Sequence, residues 1–90
     1  MKKYLVRTDY RYIGSDKIEQ TFYEAPNCAP LKYGVDITNE SDLKTYARCR
    51  GYGNKGAATR ALKAHHEMNE WECKTIRHWN PTSTLIEFEF

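Results

Sequence analysis

The sequence predicts an α+β domain, in which an antiparallel sheet of two hairpins carries a helix pair packed on one face, in the order ββ(β)ααββ. Three observations predict this class. The residues near both ends of the chain alternate with the two-residue period of strands. The middle carries apolar residues at the three- and four-residue spacing of helices. A length of 90 residues fits one domain, 1–90, without room for a second.

The first quarter of the chain is predicted to form a hairpin. Residues 3–13 alternate, with Tyr4 and Val6 on one face and charged side chains on the other. A turn at residues 14–16 and a second alternating run to residue 25 indicate an antiparallel return. Pro26 ends this strand because proline has no amide donor. Residues 33–37 are expected to add a short third strand.

The first helix is predicted from its end signals. Acidic residues in the first turn, Arg48 and Arg50 in the last turn, and apolar spacing from Leu43 fit a helix that ends at Arg50. Gly51 is expected to follow it in the left-handed conformation. Residues 43–50 also alternate as a strand would, so the strand is the alternative. Candidate N-caps are Thr38, Asn39 and Ser41.

The second helix has the clearest pattern in the chain. Asn54 is its predicted N-cap, and one apolar stripe runs from Ala57 to Met68. Residues 72–79 and 84–90 then predict two strands of a second hairpin, with residues 80–83 as the turn. His65 lies on the apolar stripe, so we expect it at the boundary of the core, whereas His66 should face solvent.

The composition excludes several classes of protein. A 40% hydrophobic content with a net charge of +2 argues against intrinsic disorder. The sequence has no run suited to a signal peptide or a membrane span. Three widely spaced cysteines do not fit a disulfide framework, so we expect reduced thiols in the cytoplasm. No spacing typical of zinc ligands occurs, and the chain is small for a large cofactor, so neither is expected.

No catalytic constellation is evident in the sequence. The three serines, at positions 15, 41 and 83, fall in predicted turns or caps. A nucleophilic serine needs a neighbouring base and an oxyanion hole, and nothing indicates either. Glu87 and Glu89 share one strand face, which is typical of the solvated side of a strand. We therefore expect the protein not to be an enzyme.

One basic section is the most unusual feature. Residues 43–66 contain six basic and no acidic residues. We expect their cations to gather on one outward surface of a helix–turn–helix unit, where the free N–H groups of residues 54–57 would help to bind phosphate or carboxylate. Alternatively, the cations only stabilise and solvate the two helices. The candidate partner-binding residues are Tyr46, Arg48, Arg50, Tyr52, Lys55, Arg60 and Lys63.

Two resemblances bear on function. Residues 33–68, a strand and two helices joined by Arg50-Gly51-Tyr52, resemble ribbon-helix-helix and helix-turn-helix units, which implies contacts with DNA phosphates. The opening Met1-Lys2-Lys3-Tyr4-Leu5-Val6 and the segment Gly56-Ala57-Ala58-Thr59-Arg60-Ala61-Leu62 resemble small phage-encoded accessory proteins, including anti-CRISPR inhibitors. This second resemblance implies a non-enzymatic protein that occupies a surface of a host protein or nucleoprotein complex.

Charge and composition favour docking on a protein or nucleoprotein over direct binding to nucleic acid. A net charge of +2 is low for a protein that grips duplex nucleic acid unaided. Seven tyrosines are typical of interface-rich surfaces as well as of strands. We therefore expect a small binding protein that docks on a host protein or nucleoprotein complex and inhibits it through the basic surface. The alternative is a nucleic-acid-binding module that uses the same surface.

Overall fold

The computed structural model describes all 90 residues, Met1–Phe90, and confirms the α+β class. A four-stranded antiparallel sheet has two helices packed against it, and the strand order is β3-β2-β1-β4. The strands are β1 (Lys2–Tyr12), β2 (Ile18–Glu24), β3 (Ala29–Pro30) and β4 (Trp79–Glu89). The helices are α1 (Glu40–Arg50) and α2 (Lys55–Glu72), and a π-helical turn (Cys73–Arg77) follows α2.

Strand β1 lies between β2 and β4 and is buried on both faces in its first half. Leu5 and Val6 are fully buried, although neighbouring residues of a strand point to opposite faces. If only one face of the sheet were covered, one of these two side chains would be exposed. Both faces of the sheet are therefore covered near the start of β1.

The two helices lie on opposite faces of the sheet. On one face, Ala58 of α2 packs with Tyr4 and Val6. On the other face, Leu43 and Ala47 of α1 pack with Leu5. The expectation that both helices share one face is thus corrected, because β1 offers each helix its own set of alternate side chains. We call these two sides the α2 face and the α1 face.

The connector between the helices, residues 51–54, passes from one face to the other beside β1. Tyr52 and Tyr4 exchange two backbone hydrogen bonds, of 2.9 and 2.8 Å, at a position where β2 has already ended. Gly51 is extended, with φ −74°, so the predicted left-handed ending is wrong. Position 51 requires a glycine for steric reasons, because a Cβ there would lie 2.5 Å from the Ala47 carbonyl oxygen and 3.1 Å from the Lys3 Cβ.

Both helices begin at an asparagine cap: Asn54 as predicted for α2, and Asn39, one of the three predicted candidates, for α1. The Asn39 side chain accepts hydrogen bonds from the amides of Ser41 and Asp42, at 3.0 and 3.3 Å. The Asn54 side chain does the same for Gly56 and Ala57, at 2.7 and 3.3 Å. Residues 43–50 are helical, so the alternative strand does not form.

The C-terminal third differs from the prediction. Glu72 ends α2, residues 73–77 form the π-helical turn and His78 follows in the left-handed conformation, while β4 runs without a break through residues 80–83. The predicted second hairpin is therefore wrong, as is the short strand at 33–37, since β3 lies at Ala29–Pro30 instead. Pro81 fits within β4 because this is an edge strand. The Phe90 amide donates to the Met1 carbonyl, so the amides of odd-numbered β4 residues point outward, where Pro81 needs no donor.

Candidate functional site

Four of the seven candidate residues are exposed cations with no acidic partner in the chain. All four lie beyond 4 Å from every carboxylate oxygen. Their charges are thus free to interact with another molecule. These residues are Arg48, Lys55, Arg60 and Lys63.

Arg50 is not a free cation, in contrast to the prediction. Its Nε lies 3.7 Å from Oε1 of Glu24, whose side chain is only 7% exposed. The other carboxylate oxygen of Glu24 is buried without a hydrogen-bond partner. A buried carboxylate is costly unless it is paired, so Arg50 is held to neutralise Glu24.

The two candidate tyrosines support the fold. The Tyr52 side chain is in the core, with 7% exposure, which corrects its placement on a binding surface. Its hydroxyl accepts from the Cys28 amide at 3.1 Å and lies 3.3 Å from the Pro26 carbonyl oxygen, to which it can donate. Tyr46 is half-buried, and its hydroxyl accepts from the Lys32 amide at 3.4 Å. Burial raises the pKa of both phenols.

The free cations of α1 lie at the end of β4. The Arg48 guanidinium is 4.9 Å from the centroid of the Phe90 ring, and the Lys44 ammonium is 5.6 Å from it. Both distances suit attraction between a cation and an aromatic face. Phe90 directly follows β4, so these two cations border the last residues of that strand on the α1 face.

Helical spacing relates two of the free cations of α2, Lys55 and Lys63, to the same strand on the α2 face. Nδ1 of His66 lies 3.2 Å from Oγ of Ser83 in β4, which fixes the side of α2 that faces β4. Lys63 lies three residues before His66 and therefore on that side of the helix. Lys55 is two further turns back along the same side, about 12 Å from Lys63.

The contacts of Lys44 and Arg48 with Phe90, together with the helical spacing of Lys55 and Lys63 from His66, indicate that free cations flank one edge strand from both faces of the sheet. We call this set the β4 rim, and it consists of Lys44, Arg48, Lys55 and Lys63. Two carboxylates lie within it, but Glu87 pairs with Lys2 and Glu89 with the N-terminal amine, each at 3.6 Å. The predicted single surface of a helix–turn–helix unit is corrected to this rim, which Arg60 does not join.

The predicted anion site at the start of α2 is largely occupied by the chain itself. Two of its amides, those of Gly56 and Ala57, already donate to Asn54. An anion would have to displace this cap, which stabilises the helix. The start of α2 therefore contributes the Lys55 charge to the rim.

Sequence reasoning missed a row of polar side chains between α2 and the sheet. Ser83 lies between Thr8, at 3.0 Å, and the His66 ring, and Glu70 lies 3.4 Å from the other ring nitrogen of His66. Thr8 is fully buried, so the row runs inward and fastens α2 to β1 and β4. The expectation that His66 faces solvent, with Ser83 in a turn, is corrected. Recognising β4 as one continuous strand would have revealed this row.

His65 lies at the boundary of the core, as expected. Its ring is 3.9 Å from that of Tyr23, measured between centroids, and it is hydrogen-bonded to the Asn69 side chain. Burial lowers the pKa of His65, and the neighbouring His66 lowers it further. Burial against the α2 face therefore favours the neutral form of this ring.

Comparisons with protein-family models, with curated proteins and with solved structures found no match. Neither helix combines the length and the apolar character needed to cross a membrane. No three side chains of His, Cys, Asp or Glu gather in a way that could hold a metal ion.

Proposed function

We propose that this protein is a non-enzymatic binding protein that docks on a protein or nucleoprotein partner and inhibits it. The β4 rim would contact acidic side chains or phosphate groups of that partner. One observation carries this proposal: the four rim cations have no acidic partner in the chain, whereas most of the chain's carboxylates are paired. A group of exposed positive charges attracts and orients a negatively charged partner.

The edge of β4 adds hydrogen-bonding groups to this charge. Its outward amides from Ser83 to Glu89 belong to an unpaired edge, which lies between the cations of the two faces. Residues 83–90 span about 23 Å as a strand. A partner could use both the backbone groups of this edge and the cations that flank it.

Reversal of three rim charges tests the proposal. We expect the combined variant Arg48→Glu, Lys55→Glu and Lys63→Glu to lose partner capture from a native lysate, with its thermal unfolding midpoint nearly unchanged. The control variant Arg11→Glu, Lys17→Glu and Lys32→Glu makes the same change of charge on exposed residues away from the rim. Equal capture by the rim variant and the wild type would refute the role of the rim.

Direct binding to nucleic acid is the second candidate, because phosphate is the other ligand that suits free cations. A titration against a bare DNA duplex at several salt concentrations separates the two. Four phosphate contacts would give a slope of log K against log salt of about −3.6. Our proposal expects weak duplex binding and a capture that survives nuclease treatment. Strong, salt-steep duplex binding would favour the second candidate.

A further inference from the structure

The outward side of α2 carries an exposed ridge with the spacing of a helix–helix contact. Because His65 and His66 face β2 and β4, the opposite side of the helix points away from the sheet. Trp71 lies at the end of this ridge with 65% of its surface exposed, where it also borders the cavity between α2 and β2 that contains Tyr23 and His65. The spacing along the ridge is four, three and four residues, as in helices that pack side by side. Its members are Arg60, Ala64, Glu67 and Trp71.

The charges of this ridge are complementary to themselves when the helix is reversed. The first half of α2 carries only basic charged residues, and the second half only acidic ones. On the ridge this leaves Arg60 and Glu67, neither of which has an ion-pair partner in the chain. Ala64 lies between them and is small enough for a second helix to approach closely.

We propose that this ridge binds the same ridge of a second copy of the chain, with the two α2 helices antiparallel around a twofold axis near Ala64. Arg60 and Glu67 lie about 6 and 4.5 Å from Ala64 along the helix, so each Arg60 meets the Glu67 of the other copy. Trp71 lies about 10.5 Å from Ala64, and Gly56 about 12 Å on the other side. The indole of one copy therefore covers the exposed glycine turn of the other.

The ridge is suited to a reversible dimer. Tryptophan and arginine are the residues that contribute most often at protein interfaces, and a twofold axis uses each contact twice. A single helix pair buries less than the roughly 800 Å² per partner of a stable complex, so the dimer depends on concentration. Lys44 and Arg48 of the β4 rim lie on the opposite face of the sheet and stay accessible, whereas Lys63 lies one turn from Glu67 and borders the ridge. The ridge contacts use no residue of the rim, so this inference does not rest on the proposed function.

Sedimentation equilibrium of the purified chain, from micromolar to millimolar concentration, tests the proposal. The wild type is expected to self-associate to a dimer. Arg60→Glu and Glu67→Arg should each lower the association constant by at least about tenfold, because each reversal places like charges together at two symmetric contacts. Trp71→Ala should weaken the dimer as well. An equimolar mixture of the two charge variants should dimerise again, because the reversed residues then complement each other.

Recovery of the dimer in the mixture of the two charge variants is specific for antiparallel pairing of Arg60 with Glu67. Lys17→Glu, a charge reversal in the exposed turn between β1 and β2, serves as the control and should dimerise like the wild type. Circular dichroism checks that each variant is folded. A wild type that stays monomeric, charge variants that still dimerise, or a mixture that stays monomeric would overturn the proposal.

Discussion

Glu24 determines what Arg50 does in this protein. The carboxylate is almost completely buried, and Arg50 is its only ion-pair partner. The cation belongs to the same basic section as Lys55 and Lys63, yet it stabilises the fold and is not free for a partner. Burial of one distant acid thus removes a residue from the candidate surface.

Substitution of Arg50 tests this role. Arg50→Met leaves the Glu24 carboxylate buried and unpaired, so we expect the free energy of unfolding to fall by about 1 to 3 kcal/mol. Urea denaturation measures it. Glu24→Gln in the same chain should recover part of the loss, since the buried charge is then removed. Lys63→Met, at an exposed site without an ion pair, should change stability by less than about 0.5 kcal/mol; an equal loss there would contradict our interpretation.

The pKa of His65 predicts a dependence of stability on pH. Burial places this pKa below the ordinary value of about 6.5 that applies to the unfolded chain. As pH falls through that value, the unfolded chain binds a proton that the folded chain does not, so stability decreases. Denaturation between pH 7.5 and 5.5 should show this decrease, and His65→Gln should make it smaller. A variant with the wild-type slope would show that His65 is not the cause.

The three cysteines should differ in reactivity. Burial raises the pKa of the Cys28 thiol to about 11 and also raises that of Cys73, whereas Cys49 is exposed on α1. Alkylating reagents attack the thiolate, so an accessible thiol reacts first. Mass spectrometry of a brief iodoacetamide reaction at neutral pH should find Cys49 modified before the others. Faster labelling of Cys28 would contradict its burial.

At the scale of elements, the start of α2 depends on one side chain. Asn54 satisfies two amides that would otherwise lack a partner. Asn54→Ala should lower the free energy of unfolding by about 1 kcal/mol, and Asn54→Asp should preserve most of it, because aspartate also caps helices. Thermal denaturation provides the measurement. If alanine and aspartate destabilise equally, the cap does not act through its side-chain oxygen.

Local patterns predicted the elements that depend on local contacts. The caps at Asn39 and Asn54 bond to amides two and three residues away, so short spacing was sufficient to identify Asn54 and to limit the first cap to Thr38, Asn39 or Ser41. The prediction of a second hairpin was wrong because it depended on local composition alone. Residues 80–83 have the composition of a turn, but pairing with the distant strand β1 holds them in β4. Pro81 is accepted there only because this strand lies at the edge of the sheet.

At the scale of the whole molecule, β1 joins the two cores. Leu5 belongs to the core of the α1 face and Val6 to that of the α2 face. Leu5→Ala should cost about 2 to 5 kcal/mol, and Val6→Ala somewhat less because it removes less volume. Both variants should unfold in one transition, with tryptophan fluorescence and far-UV circular dichroism coinciding. Separate transitions would show that the two faces are independent.

The sequence by itself determined the α+β class, the second helix with its Asn54 cap and the concentration of cations in residues 43–66, because each depends on spacing within a few turns of chain; for residues 43–50 it favoured a helix and left a strand as the alternative. The tertiary structure alone decided that the helices occupy opposite faces, that Tyr52 is buried, and that Arg50 pairs with Glu24 while Arg48 and Lys63 stay free. The physical reason is that burial and ion pairing depend on contacts between segments that are distant in the sequence and come together around β1. Residue spacing within one segment does not specify those contacts.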